Sequence, residues 1–116
     1  MTLLLLGAGG FFGAISRYLL SSYGNERFSS LPFGTLAVNL IGSFLLGMAI
    51  AVELSSTFYA LFATGFLGAF TTFSTMQTEA VKLFDDKKRL QAVLYLVITF
   101  LGGTLFAALG FILIMR

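Results

Sequence analysis

Gly68-Ala69-Phe70-Thr71-Thr72-Phe73-Ser74-Thr75-Met76 mixes four hydroxyls, two phenylalanines and two small residues in the middle of Leu54–Thr78, a stretch of 25 residues without a charge. Unpaired polar groups are costly in hydrocarbon, so lipid-facing helices do not accumulate hydroxyls. The β-branched pair Thr71-Thr72 is also a poor helix interior, and a break there frees backbone carbonyls that must face protein, water or a cation. Hydroxyls, a break and phenyl edges together point to a dehydrated ion path. The competing reading is that each hydroxyl simply bonds back to the carbonyl four residues earlier, as is common in membrane helices.

Composition places this stretch in a bilayer. Of 116 residues, 58% are hydrophobic and 10% charged, with a mean hydropathy of +0.97. Soluble domains carry about 25% charged residues, so the fold class is an all-α integral membrane protein. The chain has no cysteine and no histidine, which excludes disulfides, thiolate chemistry, imidazole relays and His or Cys metal sites. A net charge of +2 is too small to imply a nucleic-acid partner. No residues support ordinary enzymatic chemistry.

Charges divide the chain into four spans. Phe28–Val52 and Leu54–Thr78 each hold 25 uncharged residues, and Leu90–Met115 holds 26. Each exceeds the ~20 residues that cross a bilayer as a helix. The first span, from Thr2, carries only Arg17. It lacks a basic leader, and Gly9, Gly13 and Arg17 share one helical face, so it reads as a retained helix rather than a signal peptide. The expected helices cover 2–22, 32–52, 55–84 with a break near 70–75, and 89–115, with Pro32 in the first turn of the second. Residues 1–116 thus form one four-helix unit with short connections.

Four crossings put both termini on one side. Arg27, Lys82, Lys87, Lys88 and Arg89 lie on the other, against Arg116 alone on the terminal side. The positive-inside rule then predicts cytoplasmic loops and external termini.

Other polar residues align with the central stretch. Thr35 and Asn39 share a face of helix two, which Ser43 and Gly47 continue with small residues. Asn39 offers two amide donors to an anion, or else acts as interhelical glue. Tyr95, Thr99 and Gly103 form a narrow polar line on helix four, and Gly103 with Ala107 makes a small-residue contact. The Gly7–Gly13 run lacks the spacing of a dinucleotide-binding turn, since Phe12 stands where glycine is required, and Gly9 with Gly13 reads as a helix-packing face. Arg17 and Glu79, the only charges near membrane depth, are expected to snorkel to an interface. No acid lies near the midplane, which favours a passive path over a proton-coupled pump. A small multidrug-type exporter needs a glutamate in helix one, where this chain has only Arg17.

The combination of Gly10-xx-Gly13-Ala14-xx-Arg17-Tyr18, Gly34-Thr35-xx-Val38-Asn39-xx-Gly42-Ser43 and Gly65-xx-Gly68-xx-Thr71-Thr72-Phe73-Ser74-Thr75 resembles the Fluc/CrcB fluoride channels along the whole chain. The resemblance implies a fluoride-selective channel in a bacterial-type plasma membrane, built as an antiparallel, dual-topology dimer with pores along the subunit interface. It implies a structural sodium ion at the helix-three break, held by the carbonyls of Gly68 and Thr71. It further implies that Asn39 faces the pore, that Phe73 begins an aromatic box with Ser74 and Thr75 beside it, and that Tyr95 and Thr99 belong to a polar track. Met76 falls where the family has its second box phenylalanine, and a thioether has no electropositive ring edge. The five-to-one charge bias points to one fixed orientation and a homologous, oppositely oriented partner. In that arrangement this chain is one subunit of a heterodimer, or a non-conducting partner in one; a homodimer is the alternative.

Overall fold

The computed structural model describes residues 2–27, 32–53 and 55–115. Residues 28–31 of the expected connection between the first two helices, Leu54, Arg116 and the side chain of Arg27 lie outside the described residues. All described elements are helical: α1 Thr2–Arg27, α2 Phe33–Val52, α3 Ser56–Phe58, a π-helix Tyr59–Leu67, α4 Gly68–Phe70, α5 Phe73–Asp85 and α6 Arg89–Met115. Three helices, α1, α2 and α6, are long and apolar enough to cross a membrane. The third crossing is assembled from the pieces α3 to α5. The long axis of 47 Å is close to the ~40–45 Å of a bilayer with its headgroups.

The boundaries differ from expectation in two places. Helix α1 continues to Arg27 rather than ending near residue 22; its last turns pack on the start of α2, where Gly24 meets Gly34 and Asn25 accepts from Gly34 and Thr35 N–H. Pro32 is the residue before α2 rather than within its first turn, and its carbonyl accepts from Leu36 N–H.

Polarity is inverted relative to a soluble protein. Leu3, Leu101, Leu105 and Met115 are exposed, whereas Thr35, Asn39, Thr72 and Thr99 are buried. Lipid replaces water outside, so interior packing relies on close approach and hydrogen bonds. The most extensive pairing is α2 on α6, followed by α1 on the π-helix. Glycines permit both. A Cβ on Gly9 would strike Leu61 O, and one on Gly13 would strike Phe66 O. Gly47 meets Ala107 O, and Gly110 meets Phe44 O, in the same way. The Gly9/Gly13 face therefore packs as expected, and Gly103 and Ala107 lie on the α2-facing side of α6. The π-helix has i→i+5 bonds, a wide form that is rare and concentrates at functional sites. Its small residues Ala60, Ala63 and Gly65 are buried.

Candidate functional site: a broken helix beside an open cavity

The third crossing breaks at the Thr pair. Thr71 (φ −78°, ψ 153°) and Thr72 (φ −146°, ψ 119°) are extended between α4 and α5. Asn39 holds the break open. Its Nδ2 donates to the Thr72 carbonyl at 3.0 Å, and its Oδ1 accepts from Thr72 N–H at 2.8 Å. This pairing imitates a strand partner and satisfies two backbone groups that a break would otherwise orphan. One of the two Asn39 N–H donors remains.

Because Thr72 N–H goes to Asn39, it does not close the helical turn onto the Gly68 carbonyl. Thr75 N–H, which would reach the Thr71 carbonyl, goes instead to Thr72 Oγ1 at 3.3 Å. The carbonyls of Gly68 and Thr71 therefore lose their helical partners. Nearby, the Leu67 carbonyl takes both Thr71 N–H and the Thr71 hydroxyl, each at 3.0 Å. Arg17, expected to snorkel, has a protein partner at the break. Its guanidinium donates to the Ala69 carbonyl at 3.3 Å, placing a cation at the carbonyl end of α4, where the helix dipole is negative.

A cavity of about 480 Å³ lies along this break, open at the protein's surface. Its wall brings together Asn39, Gly68, Thr71, Phe73, Met76 and Thr99. Thr72 caps the N-terminus of α5 at the same wall, so the positive end of that helix dipole meets the cavity. Phe73 is 58% exposed and rests edge-on against Phe100, with centroids 6.2 Å apart. Gly42 makes room for the break, since a Cβ there would meet the Thr71 methyl.

The other expected residues are placed differently. Ser74 and Thr75 lie on the exposed face of α5 and do not line the cavity. Met76 is 2% exposed and packs with Leu36, Ala80 and Tyr95, so it belongs to the core as much as to the cavity wall. Tyr95 is fully buried, and its hydroxyl donates to Glu79 Oε1 at 3.1 Å. Thr99 donates back to the Tyr95 carbonyl at 2.7 Å. For Thr71, Thr78, Thr99 and Thr104 the back-bonding reading of the hydroxyls holds.

Two residues escaped sequence reasoning. Glu79 has protein partners: its carboxylate accepts from Tyr95 and, at 2.9 Å, from Asn25 Nδ2. Asn25 was hidden because helix one was expected to end before it. The available signal was an asparagine a few residues ahead of Pro32, since helix N-termini recruit such amides.

An all-helical bundle with three apolar spans and a broken further crossing, with an amide and several hydroxyls gathered at the break, defines a multi-pass membrane protein. The family model described as CrcB-like protein, Camphor Resistance (CrcB), matches residues 4–111, and the chain belongs to that family. It is 48% identical over 115 residues to the Fluoride-specific ion channel FluC of Methanocaldococcus jannaschii, covering 96% of this chain and 92% of the relative. It is 44% identical over 108 residues to the Fluoride-specific ion channel FluC 1 of Geobacillus kaustophilus, covering 93% of each. Over 111 residues it is 44% identical to the Fluoride-specific ion channel FluC 2 of Bacillus cereus, covering 95% of this chain and 94% of the relative.

Proposed function

We propose that this chain is a subunit of a fluoride-selective channel in the cell membrane that lets the ion leave the cytoplasm down its gradient. The observation that carries this reading is the open cavity, where an amide donor, a phenyl edge and a half-helix N-terminus share one uncharged wall. The names of the three relatives, each a fluoride-specific ion channel, support it.

Fluoride is small and tightly hydrated, so a path through the membrane must replace its water with closely placed donors. The free Asn39 N–H, the first N–H groups of α5 and the positive ring edge of Phe73 supply them without a fixed cation that would trap the ion. Hydroxyls of Thr71 and Thr99 add to this by rotating from their own helix carbonyls toward the anion. Among the described residues, the cavity wall carries no acidic or basic side chain, which supports passive conduction over coupled transport.

The openness of the cavity and the exposure of Phe73 support completion by a second, antiparallel subunit. The residues also fit a sodium ion between subunits. The carbonyls of Gly68 and Thr71 have lost their helical partners and belong to residues of the same wall, and neutral oxygen donors suit a hard monovalent cation. Such an ion would supply positive potential to a nearby anion. The bias of five basic residues to one favours external termini and a second reading, in which the partner is a separate homologue of opposite orientation.

Purified protein in liposomes, alone and with a candidate partner, tests the proposal. Fluoride release with chloride retained is expected. No fluoride flux in either preparation would refute it.

A further inference from the structure

The half-helix α5 carries Phe73, yet it packs chiefly on α6 and has little backbone contact with α2. Beside the apolar contact of Met76 and Ala80 with Leu36 of α2, two amide side chains tie α5 to the α1–α2 half of the subunit. Asn39 on α2 grips Thr72 at the start of α5. Asn25 on α1 grips Glu79, seven residues further on, which is about 10 Å along a helix. One grip is a pivot; two grips separated by that distance define a direction.

Asn25 is itself held rigidly. Its Oδ1 accepts from Gly34 N–H at 2.9 Å and from Thr35 N–H at 3.3 Å, two orphan donors in the first turn of α2. Its Nδ2 also lies 3.3 Å from Thr35 Oγ1. Gly24 and Gly34 bring the two backbones together there, since a Cβ on Gly24 would meet Gly34 Cα at 2.5 Å. One face of the carboxamide is therefore fixed to the α1–α2 corner, and the other is presented to the Glu79 carboxylate. Tyr95 fixes the far oxygen of that carboxylate at 3.1 Å. The group thus joins α1, α2, α5 and α6.

We propose that Asn25 is a positioning residue that sets the orientation of α5, and with it the placement of Phe73 in the cavity wall, by pinning Glu79 to the α1–α2 corner. The consequence for conduction rests on the channel reading above; the pin itself does not. A purely structural role would confine Asn25 to capping α2. Asn25→Asp separates the two. It keeps an oxygen for Gly34 and Thr35 N–H, where a negative charge is favourable, but replaces the amide donor by a second carboxylate. At alkaline pH, where the distances are measured, the pair no longer keeps a shared proton as a substitute donor and the two carboxylates repel.

The chain lacks cysteine, so spin labels can be placed on Leu19 of α1 and Val81 of α5, both exposed. Labelled chain is diluted into unlabelled chain so that only distances within one subunit are read. Asn25→Ala and Asn25→Asp are expected to broaden the distance distribution and to lower fluoride flux about tenfold, as fits loss of a charge-assisted hydrogen bond. In the double variant Asn25→Asp, Glu79→Gln, donor and acceptor trade places, and the distribution is expected to narrow again. A wild-type distribution in Asn25→Asp, with broadening only in Asn25→Ala, would leave a helix cap and overturn the pin. Failure of the double variant to narrow would overturn it as well. Broadening in a protein whose wild type passes no fluoride would sink the channel reading while the pin stands.

Discussion

Replacing Asn39 by alanine tests what holds the break together. The change removes two hydrogen bonds, at 3.0 and 2.8 Å, and strands the Thr72 N–H and carbonyl in a site where Thr72 is 8% exposed. Side-chain hydrogen bonds in membrane proteins are worth about 0.6–2 kcal/mol each, so the pair amounts to about 1–4 kcal/mol. The upper half of that range is expected, because extended backbone has no intrahelical partner to fall back on. Thr99→Val is the control. It removes a bond of 2.7 Å, but the Tyr95 carbonyl it served keeps its place in the α6 ladder, so the expected cost is below about 1 kcal/mol. Unfolding of both variants in detergent gives the comparison, and liposome efflux read beside it shows whether flux falls with stability. If Asn39→Ala costs no more than Thr99→Val, Thr72 has found other partners and the clamp is not what shapes the break.

Other outcomes follow from the same contacts. Gly13→Val places a methyl-bearing carbon on the Phe66 carbonyl and should separate α1 from the π-helix, costing about 1–3 kcal/mol or more, read as lost monodispersity and a lower melting temperature. Met76→Phe enlarges a side chain that is 2% exposed and should destabilise the subunit by about 1–3 kcal/mol; an unchanged melting temperature would show that the cavity absorbs the ring. Tyr95→Phe leaves one Glu79 oxygen without its donor and should cost about 1.5–3 kcal/mol, with slower fluoride efflux. Replacing sodium by a large organic cation throughout purification should weaken the proposed dimer in size-exclusion chromatography, and an unchanged elution profile would count against a cation at Gly68 and Thr71.

Much of this protein was legible because membranes constrain sequence severely. Charge-free runs revealed the spans, and the crowding of hydroxyls around Thr71-Thr72 revealed where the third crossing fails. The glycine faces were legible for a similar reason, since close backbone approach admits little else. Asn39 was recognised as important, but not as a partner for the Thr72 backbone. That role depends on a contact between residues 33 positions apart, which no local pattern encodes. The protein partners of Arg17 and Glu79 are hidden from the sequence for the same cause. A charge within a helix looks identical in sequence whether its partner is water or a polar group on another helix.

The sequence by itself determined that the chain spans a bilayer, how often it crosses, where the third crossing breaks, and the family to which the motifs belong. These follow from local chemistry: hydropathy, helix propensity and the cost of bare polar groups in lipid. Only the tertiary structure decided which polar groups are spent on holding the fold and which remain for a ligand. It assigned the Asn39 carboxamide largely to Thr72, returned several threonine hydroxyls to their own helices, freed the carbonyls of Gly68 and Thr71, and joined Asn25, Glu79 and Tyr95. The reason is geometric. A hydrogen bond exists only where two groups from distant parts of the chain arrive within about 3 Å of each other in the right orientation, and in this protein interhelical packing sets that arrival.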